Sequence, residues 1–485
     1  MLSDLKGLAS RSIVYSSGDL LLRAISFLLL PIYTRVLTPT DYGILAVTGL
    51  VAAILALLSS LSLHGFVYPT YFAQTNELTR RRALGTLFVA ILLIGFTFTL
   101  ITDQVGTLLF PLIFPDVSFQ PYIRIAIWTT FLASWQLVPL AILKAQERSV
   151  TYVLLTVAGS LLHSAIALGL VVYLGQGVWG MLVAAFAAAI LMLIPYLVVT
   201  LRNITLALER ETLNAALIFS LPLVPHALAG WLLQLSDRAI LQWYVPLEQL
   251  GIYSLAYTLG MLISIVATAM NAAWVPFLFR TDANEGLSAS TRLGQLATYY
   301  ALILCFVALG FHLLAEPILT IMTPASYHGA IALMPWMIAG QLLSGLYFIP
   351  VSYLFLRRKT RLVPQITVVA AIVNLFLNLW FIPSFGVIAA AWTTFISYAI
   401  MLFLAWRLAF KVYPVVYEYR RLAIIALITI LLWLIGHYLS LASLWSLVFA
   451  KLGLLLLLPL LLVAFGFLST GEKRRIGLLF RKKIA

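Results

Sequence analysis

The sequence predicts an all-α integral membrane protein with about 14 transmembrane helices. The predicted arrangement is two pseudo-symmetric six-helix lobes around a central cavity, with two extra C-terminal helices. Three observations support it: the composition, a series of long apolar stretches and an internal repeat. Of the 485 residues, 63% are hydrophobic and only 9% are charged, whereas a soluble domain has about 25% charged residues. This composition excludes a soluble globular enzyme and indicates a chain that lies mostly within a bilayer.

Long apolar stretches follow one another along the whole chain, and each has the length of about 20 residues that a spanning helix needs. The predicted spans are 12–34, 43–66, 85–102, 122–143, 150–174, 178–201, 214–236, 249–272, 293–314, 330–356, 362–382, 386–406, 422–440 and 445–468. The first is predicted to remain as a span rather than to be a cleaved signal, because Arg23 lies in its middle and no small-residue cleavage site follows. The connections, at most about 20 residues long, are too short for a folded catalytic domain.

The positive charges predict the orientation of these spans. If the spans alternate from a cytoplasmic N-terminus, about 25 of the 30 Lys and Arg residues fall on the cytoplasmic side. Both termini are therefore predicted to be cytoplasmic. The same loops explain the net charge of +14, since they face anionic lipid headgroups. Membrane lipids, and not nucleic acid, are the predicted partners of this basic surface.

An internal repeat relates the two halves of the chain. Gly43 opens the second span and Gly251 opens the eighth, 208 residues later, each followed by Ile. Gly177 opens the sixth span and Gly386 the twelfth, at an offset of 209, each followed by Val. Spans 1–6 and 7–12 are thus predicted to be two copies with a cavity between them. The predicted divisions are 1–210 for the N-lobe, 211–412 for the C-lobe, and 413–485 for spans 13 and 14 with a basic tail.

Several stretches resemble a known family. The segment LLPIYTRVLTPTDYG, from Leu29 to Gly43, closely resembles the opening of bacterial polysaccharide flippases. Two later regions resemble the same family, SLPLVPH with the following W and LSDRAIL between 220 and 241, and GIYSLAY from 251 to 257. These flippases export lipid-linked O-antigen and capsule repeat units and belong to the multidrug/oligosaccharidyl-lipid/polysaccharide exporter superfamily. The motifs cover mainly spans 1, 2, 7 and 8, while the span count extends the resemblance along the chain.

The resemblance implies a function as well as a fold. It implies that the protein moves an oligosaccharide linked to undecaprenyl pyrophosphate from the cytoplasmic to the outer leaflet of the bacterial inner membrane. The two lobes would alternate between inward- and outward-open forms, in the service of O-antigen, capsule or exopolysaccharide synthesis. The polysaccharide polymerase machinery is then a candidate partner. The resemblance does not identify the sugar.

Arg23 and Asp19 are the first candidate site residues, because ionisable groups within a span are costly and usually functional. Arg23 lies about 11 residues, or roughly 16 Å, from either end of the first span. Its guanidinium offers paired donors to phosphate oxygens, so we expect it to bind the pyrophosphate in a hydrated cavity. Asp19, four residues earlier on the same helix face, would hold Arg23 without substrate or take part in ion coupling. A structural ion pair within the bundle is the alternative.

Three further candidates lie at the predicted outer ends of spans. Arg35 ends the first span, and Asp237 and Arg238 end the seventh. They would receive the anionic headgroup on the outer side or form a gate between the lobes. Interfacial ion pairs and helix-end charges are the alternative. Arg124, at the start of the fourth span, is interpreted as an interfacial anchor.

Other polar residues within spans have two interpretations. A histidine in a span is a proton relay or, more commonly, a hydrogen-bonding group between helices. The histidines concerned are His64, His163 and His226. Asn374 and Asn378 share one helix face and are expected to join neighbouring helices by hydrogen bonds. Pro31 is expected to bend or break the first span, and Pro222 and Pro225 the seventh; a static kink is the alternative to a moving hinge.

The sequence contains no sign of catalysis or of a bound cofactor. It has no P-loop, no metal-ligand cluster and no nucleophile–base set, and its single cysteine, Cys305, cannot form an intramolecular disulfide. No enzyme activity, cofactor or metal is therefore predicted, and transport is driven by an ion gradient or by later polymerisation. The alternatives are a multidrug exporter of the same superfamily, a peptidoglycan-precursor flippase, and a membrane polymerase or ligase. A cation exporter needs cavity carboxylates and a polymerase needs a large outer loop, so both are disfavoured.

Overall fold

The computed structural model describes residues 2–468, and these contain α-helices, short 3-10 and π segments, and no β-strand. The all-α prediction is therefore confirmed over this range. The helices are α1 Leu2–Val36, α2 Pro39–Ser60, α3 Val67–Ala73, α4 Glu77–Ile113, α5 Arg124–Ser134, α6 Leu137–Ala145, α7 Ser149–Ala167, α8 Gly177–Asn203, α9 Arg210–Ser220, α10 Leu223–Leu241, α11 Leu247–Gly260, α12 Leu262–Glu285, α13 Ala289–Met322, α14 Met334–Leu346, α15 Phe348–Leu356, α16 Leu362–Val412, α17 Tyr419–Tyr438 and α18 Leu444–Ala464.

The length and hydropathy of these helices identify a multi-pass membrane protein. In the described range, 11 helices are long and apolar enough to cross a bilayer, or 12 if the bent pair α9 and α10 forms one span. The longest, α16, has 51 residues and kinks at Gly386, where φ is 57°. This positive φ suits glycine, which lacks the Cβ that makes the conformation costly for other residues. The kink falls between the predicted spans 362–382 and 386–406.

The bend expected in the seventh span is present. Helices α9 and α10 meet at an angle of 44° across a break at Leu221 and Pro222. Proline removes a backbone N–H donor and its ring collides with the preceding turn, so a helix ends or bends there. The bend is therefore confirmed at Pro222, and it separates α9 from the half of the span that carries Asp237. Helix α10 continues through Pro225 and α1 continues through Pro31, so the structure shows no break at either residue.

The described chain divides into two compact units. The first comprises the residues up to Leu255 together with Met322–Tyr327 and Ala371–Ala390, and the second comprises the remaining described residues. Buried aliphatic residues of α4 and α6, such as Leu87 and Ile142, form one apolar core in the first unit. The lobe boundaries at 210 and 412 stay predictions.

The C-terminal helices α17 and α18 belong to the second unit. Leu309 and Leu313 of α13 pack in one buried cluster with Ile425 of α17 and Leu458 of α18. Lys451 of α18 is only 3% exposed, and its Nζ lies 2.6 Å from a carboxylate oxygen of Glu316 on α13. Lys451 falls within the predicted span 445–468, and the partly exposed Glu316 carboxylate gives its buried charge a partner.

Candidate functional site

Motif residues from the two predicted repeats meet at one junction in the first unit, where α2 and α11 begin. A Cβ atom on Gly43 would overlap the carbonyl oxygen of Leu247, and one on Gly251 would overlap that of Pro39. Each glycine thus lies against a backbone carbonyl group in the first turn of the other helix. Only glycine permits this approach, because any side chain would push the two helix ends apart.

The start of α2 is fixed by the residue that precedes it, Thr38, and by the residues of its own first turn. Thr38 and Asp41 form a capping box, in which the Thr38 hydroxyl accepts from the Asp41 N–H at 3.2 Å and the Asp41 carboxylate accepts from the Thr38 N–H at 2.9 Å. Pro39 occupies the first turn, where its missing N–H costs nothing. The motif TPTDYG is therefore a helix-start signal that positions Gly43 for its contact.

Tyr327 closes the same junction from another segment of the first unit. Its hydroxyl donates to the carbonyl oxygen of Leu37 at 2.8 Å, and its ring packs edge-on against Tyr42 with the ring centres 5.4 Å apart. Burial raises the pKa of the Tyr327 hydroxyl well above its usual value, and Tyr42 and Asp41 act in the same direction. The hydroxyl therefore stays protonated and keeps its donor role.

Asp237 and Arg238 are brought together with Tyr253 in the interior of the first unit. Asp237 is 2% exposed and Arg238 is 8% exposed. The Asp237 carboxylate accepts hydrogen bonds from the Tyr253 hydroxyl and, at 2.7 Å, from the backbone N–H of Arg238. Nη1 of Arg238 donates to the carbonyl of Gln234 at 3.1 Å. The contact between Asp237 and Tyr253 joins α10 to α11. The Asp237 carboxylate and the Arg238 guanidinium both form hydrogen bonds with other groups of the protein.

The neighbouring residue on α10 forms a second buried polar link. The Ser236 hydroxyl donates to the amide oxygen of Asn374 at 3.0 Å, and the amide nitrogen of Asn378 donates to Ser236 at 3.3 Å and to Asn374 at 3.0 Å. All three side chains are buried. The interhelical hydrogen bonds predicted for the two asparagines are therefore present, and they tie α10 to α16.

Arg23 lies in the interior of α1 and Arg35 in its last turn, three residues before Thr38. Both side chains are exposed, and neither forms an ion pair with another described side chain. Helix α1 packs against α7, and Gly18 lies close to Val153. The side chain of Asp19 lies outside what the structure describes, so its predicted pairing with Arg23 stays a prediction.

A cavity of about 790 Å³ lies inside the first unit. Its walls come mainly from α2, α5 and α8, and the remaining lining residues are Ser62, His64, Gln136, Leu137, His163 and Ala227. Among the described residues that line it there is no Asp, Glu, Lys or Arg. The cavity therefore has a mainly apolar lining without carboxylate, ammonium or guanidinium groups.

An ion pair that the sequence did not predict joins α4 to α5. Asp103 is buried on α4, and its two carboxylate oxygens lie 2.8 and 2.9 Å from the Nε and Nη2 atoms of Arg124. Only the Nη2 contact has hydrogen-bond geometry, and the Arg124 side chain is 47% exposed. Arg124 is thus the ion-pair partner of a buried carboxylate, and its role as an interfacial anchor stays a prediction. The available signal was a single carboxylate within the apolar run that follows residue 85.

No metal centre is visible in the part of the chain that the structure describes. In residues 2–468, no group of three or more His, Cys, Asp and Glu side chains is placed to hold a metal ion. The arrangement offers hydrogen bonding, exposed guanidinium groups and an uncharged cavity, which suit binding and passage of a ligand.

Comparison with known sequences agrees with the motif resemblance. The profile of the family described as "Polysaccharide biosynthesis protein" matches residues 8–282. A Haemophilus influenzae protein described as "Lsg locus putative protein 1" is 22% identical over 392 residues, which cover 78% of this chain and 94% of that protein.

Comparison with solved structures identifies the fold. A structure of the lipid II flippase MurJ in an inward closed conformation matches with a TM-score of 0.75 and 12% identity, covering 92% of this chain and 98% of that one. An inward-facing multidrug resistance MATE family transporter of the MOP superfamily matches with a TM-score of 0.66 and 14% identity, covering 85% and 98%. At these identities the likeness concerns the fold alone.

Proposed function

This chain belongs to the polysaccharide biosynthesis protein family, and we propose that it is a flippase for lipid-linked oligosaccharides. In this proposal the substrate is an oligosaccharide repeat unit on undecaprenyl pyrophosphate. It moves from the cytoplasmic to the outer leaflet of the bacterial inner membrane by alternating access. Family membership and a fold shared with membrane transporters support the proposal.

The observation that carries the proposal is the exposure of Arg23. It lies 13 residues, or about 20 Å, from the end of α1 at Val36, within an apolar segment. An exposed arginine at that depth is costly if it faces lipid. A hydrated path that admits an anionic headgroup removes this cost, because the guanidinium binds phosphate oxygens through paired donors. Arg35, at the end of the same helix, then receives the headgroup as it leaves.

The α2–α11 junction supports a role in closing one side of the transport path. We place this end on the outer side, as the positive-inside rule predicts. Here the Gly43 and Gly251 contact seals the two repeats against each other, and separation of the helix ends opens the path. Asp237 and Arg238 then serve as part of the gate rather than as direct headgroup ligands, because protein atoms occupy their hydrogen-bonding groups.

The membrane topology in this proposal has about 14 crossings. It counts α1 as a span and divides α16 at Gly386 into two. At 1.5 Å per residue, the 51 residues of α16 extend about 76 Å, more than twice the hydrocarbon thickness of about 30 Å. Spans 1–6 and 7–12 form the two lobes, and α17 and α18 follow them.

Complementation tests the proposal. The wild-type gene is expressed in a panel of bacterial strains that each lack their own repeat-unit flippase, and surface polysaccharide is read on gels. We expect restoration in at least one strain, together with protein in the inner membrane. If a well-expressed wild type restores none of the panel, the repeat-unit assignment is wrong.

Two alternatives are tested in parallel. The shared fold favours a peptidoglycan-precursor flippase as the second candidate, and rescue of a strain depleted of that activity would establish it. A multidrug exporter would be recognised by efflux of cationic dyes. The uncharged lining of the first-unit cavity argues against that exporter, since organic cations require a carboxylate or an aromatic cage.

A further inference from the structure

In the part of the first unit that the structure describes, three predicted spans are interrupted beside one another. The second span breaks between α2 and α3, the fourth between α5 and α6, and the seventh between α9 and α10. We propose that these breaks form a hinge, about which α3, α6 and α9 tilt as one body and open or close one end of the first-unit cavity. The inference goes beyond the proposed function, because it identifies a moving part whatever substrate the protein carries.

The break in the second span has an unusual backbone. Leu61 and Ser62 both have positive φ, at 46° and 58°. This left-handed conformation is costly for residues that carry a side chain. A 3-10 turn, Leu63–Phe66, follows before α3 begins. Strained backbone and a 3-10 turn within a span are both typical of hinges.

The other two breaks also contain short-range backbone hydrogen bonds. The N–H groups of Trp135 and Gln136 donate to carbonyl oxygens three residues back, at 3.3 and 3.4 Å. The N–H of Val224 donates to the carbonyl of Leu221 at 3.2 Å, next to the 44° bend at Pro222. Bonds of this 3-10 type have poorer geometry than those of an α-helix, so less is lost when the chain bends there.

The three half-helices on one side of the breaks share an apolar core. Buried residues of the 3-10 turn, α3, α6 and α9 pack in one cluster with the first half of α4, and they include Leu63, Val67, Val138, Ala141, Ile142 and Ala216. The rings of Phe66 and Phe219 lie against each other, with their centres 5.3 Å apart. A close-packed core transmits a displacement rather than absorbing it, so these segments move together.

The connection before α9 fixes this helix to α4. The N–H of Thr205 donates to the carbonyl oxygen of Arg81 at 3.0 Å, and the N–H of Glu209 donates to the Thr86 hydroxyl at 3.1 Å. A Cβ atom on Gly85 would overlap the carbonyl oxygen of Thr205. The body that tilts therefore comprises α3, α6 and α9 with the start of α4.

The other halves of the three spans pack separately, and the cavity lies at the breaks. Helix α2 contacts both α5 and α10. Ser60 and Ser62 at the break in the second span, and Ser134 and Gln136 at the break in the fourth, all line the cavity. Helices α4 and α8 contact both halves without interruption, and a long helix bends only gently. The motion is therefore a tilt, which changes the width of the cavity at the end nearer α3, α6 and α9.

The hinge and the glycine junction lie at opposite ends of α2. The helix begins at the junction and ends at the break, 22 residues or about 33 Å away. The positive-inside rule places Arg80, Arg81 and Arg82, at the start of α4, on the cytoplasmic side. The tilting body is then an inner gate, and the junction of Gly43 with Gly251 is the outer one.

The first test shifts the equilibrium at Ser62. Ser62→Gly removes the cost of the positive φ and should favour the bent form, whereas the β-branched side chain of Ser62→Val should disfavour it. Spin labels on cysteines at Asp116, in the connection after α4, and at Asn214 on α9 report the tilt in the full-length Cys305→Ser protein in lipid nanodiscs. Double electron–electron resonance should show two distance populations. Their ratio should change about five- to thirtyfold in Ser62→Gly and move the opposite way in Ser62→Val.

Two controls accompany this measurement. Arg358→Gly should leave the populations unchanged, because Arg358 also has a positive φ of 55° but lies in an exposed turn of the second unit. Labels at Thr75, which follows α3, and at Asn214 should give one narrow distance in every variant. A distance between Thr75 and Asn214 that varies among the variants would show that the body is not rigid and overturn the inference. Identical populations in the two Ser62 variants would do the same.

The second test joins two spans that are far apart in the sequence. Cysteines in Phe66→Cys and Phe219→Cys, on either side of the predicted lobe boundary at 210, are linked by a short bifunctional maleimide. The same double variant treated with a monofunctional maleimide is the matched control. Transport of the lipid-linked saccharide is measured in proteoliposomes, and we expect the linked protein to keep at least half of the control rate. A greater loss would show that α9 separates from the second span, contrary to the inference.

These measurements separate the hinge from the proposed function. If the spin-label distances shift as expected while no strain regains its polysaccharide, the hinge stands and the repeat-unit assignment fails. If the wild type transports the lipid-linked saccharide while the spin labels show no tilt in any variant, only the hinge fails.

Discussion

The junction of α10 with α11 and the exposed face of α1 both carry arginines that the sequence singled out, yet their surroundings differ sharply. Arg238 is 8% exposed, beside Asp237 and Tyr253. Arg23 and Arg35 are exposed on one helix. A guanidinium whose donors are engaged by protein atoms stabilises the fold, whereas an exposed one keeps its donors for a ligand. The same residue type therefore predicts a stability effect in one region and a transport effect in the other.

The largest effect is expected at the contact between Gly43 and Gly251. In Gly43→Val the added side chain would overlap the backbone of Leu247, and a backbone atom cannot give way as a flexible side chain can. The helix ends would stay apart, so we expect transport in the complemented strain to fall at least a hundredfold. Polysaccharide on gels, normalised to the amount of membrane protein, measures this.

Gly453→Val provides the control for this change, because a side chain there meets open space. A Gly43→Val protein that folds and transports normally would show that the junction does not need to close. A cysteine placed at Ala53 should label faster from the outer side in Gly43→Val than in the parent, if the junction is the outer gate.

The next effect concerns the stability of the buried junction. Asp237→Ala leaves Arg238 buried without its carboxylate, and loss of one partner from such a pair costs about 3–5 kcal/mol. We expect a clear fall in the unfolding midpoint of the purified protein in detergent. Tyr253→Phe, which removes only the hydroxyl donor, should cost less, about 1.5–3 kcal/mol. An unchanged unfolding midpoint in Asp237→Ala would show that the pair of Asp237 and Arg238 does not stabilise the protein.

Substitution of Arg23 on α1 is expected to have the smallest effect on stability. Its effect on transport is expected to be selective. Arg23→Ala should change the unfolding midpoint little, because exposed substitutions usually stay within about 0.5 kcal/mol. Transport should fall ten- to a hundredfold, the value of one charged hydrogen bond to phosphate of about 1.5–3 kcal/mol. Arg23→Lys should recover part of it, since it restores charge without the paired donors.

Arg35→Ala refines the same comparison. We expect a loss of only a few-fold, because Arg35 lies in the last turn of α1, where a hydrated headgroup contact is weak. Full activity of Arg23→Ala with a lowered unfolding midpoint would reverse the assignment, and Arg23 would then be a structural residue like Arg238.

The sequence was a good guide to the helices and a poorer guide to the cavity. Apolar length alone locates spans, because a bilayer requires about 20 apolar residues wherever the helix packs. The bend at Pro222 could also be predicted, since proline acts locally on the backbone. At Gly386 the sequence predicted a boundary between two spans, and the structure has a kink within one long helix. The cavity was not readable, because Gly49, Gln136 and His163 lie on different helices and converge only when those helices pack.

The sequence by itself determined the membrane class, the helical fold and the family motifs, whereas the repeat that relates Gly43 to Gly251 stays a prediction. Each of these depends only on local composition or on the spacing of residues along the chain. Only the tertiary structure decided that the two glycines touch each other, and that Arg238 is buried while Arg23 is exposed. Contact and burial depend on which helix faces meet, and a repeat in sequence specifies similar helices without specifying how their surfaces pack.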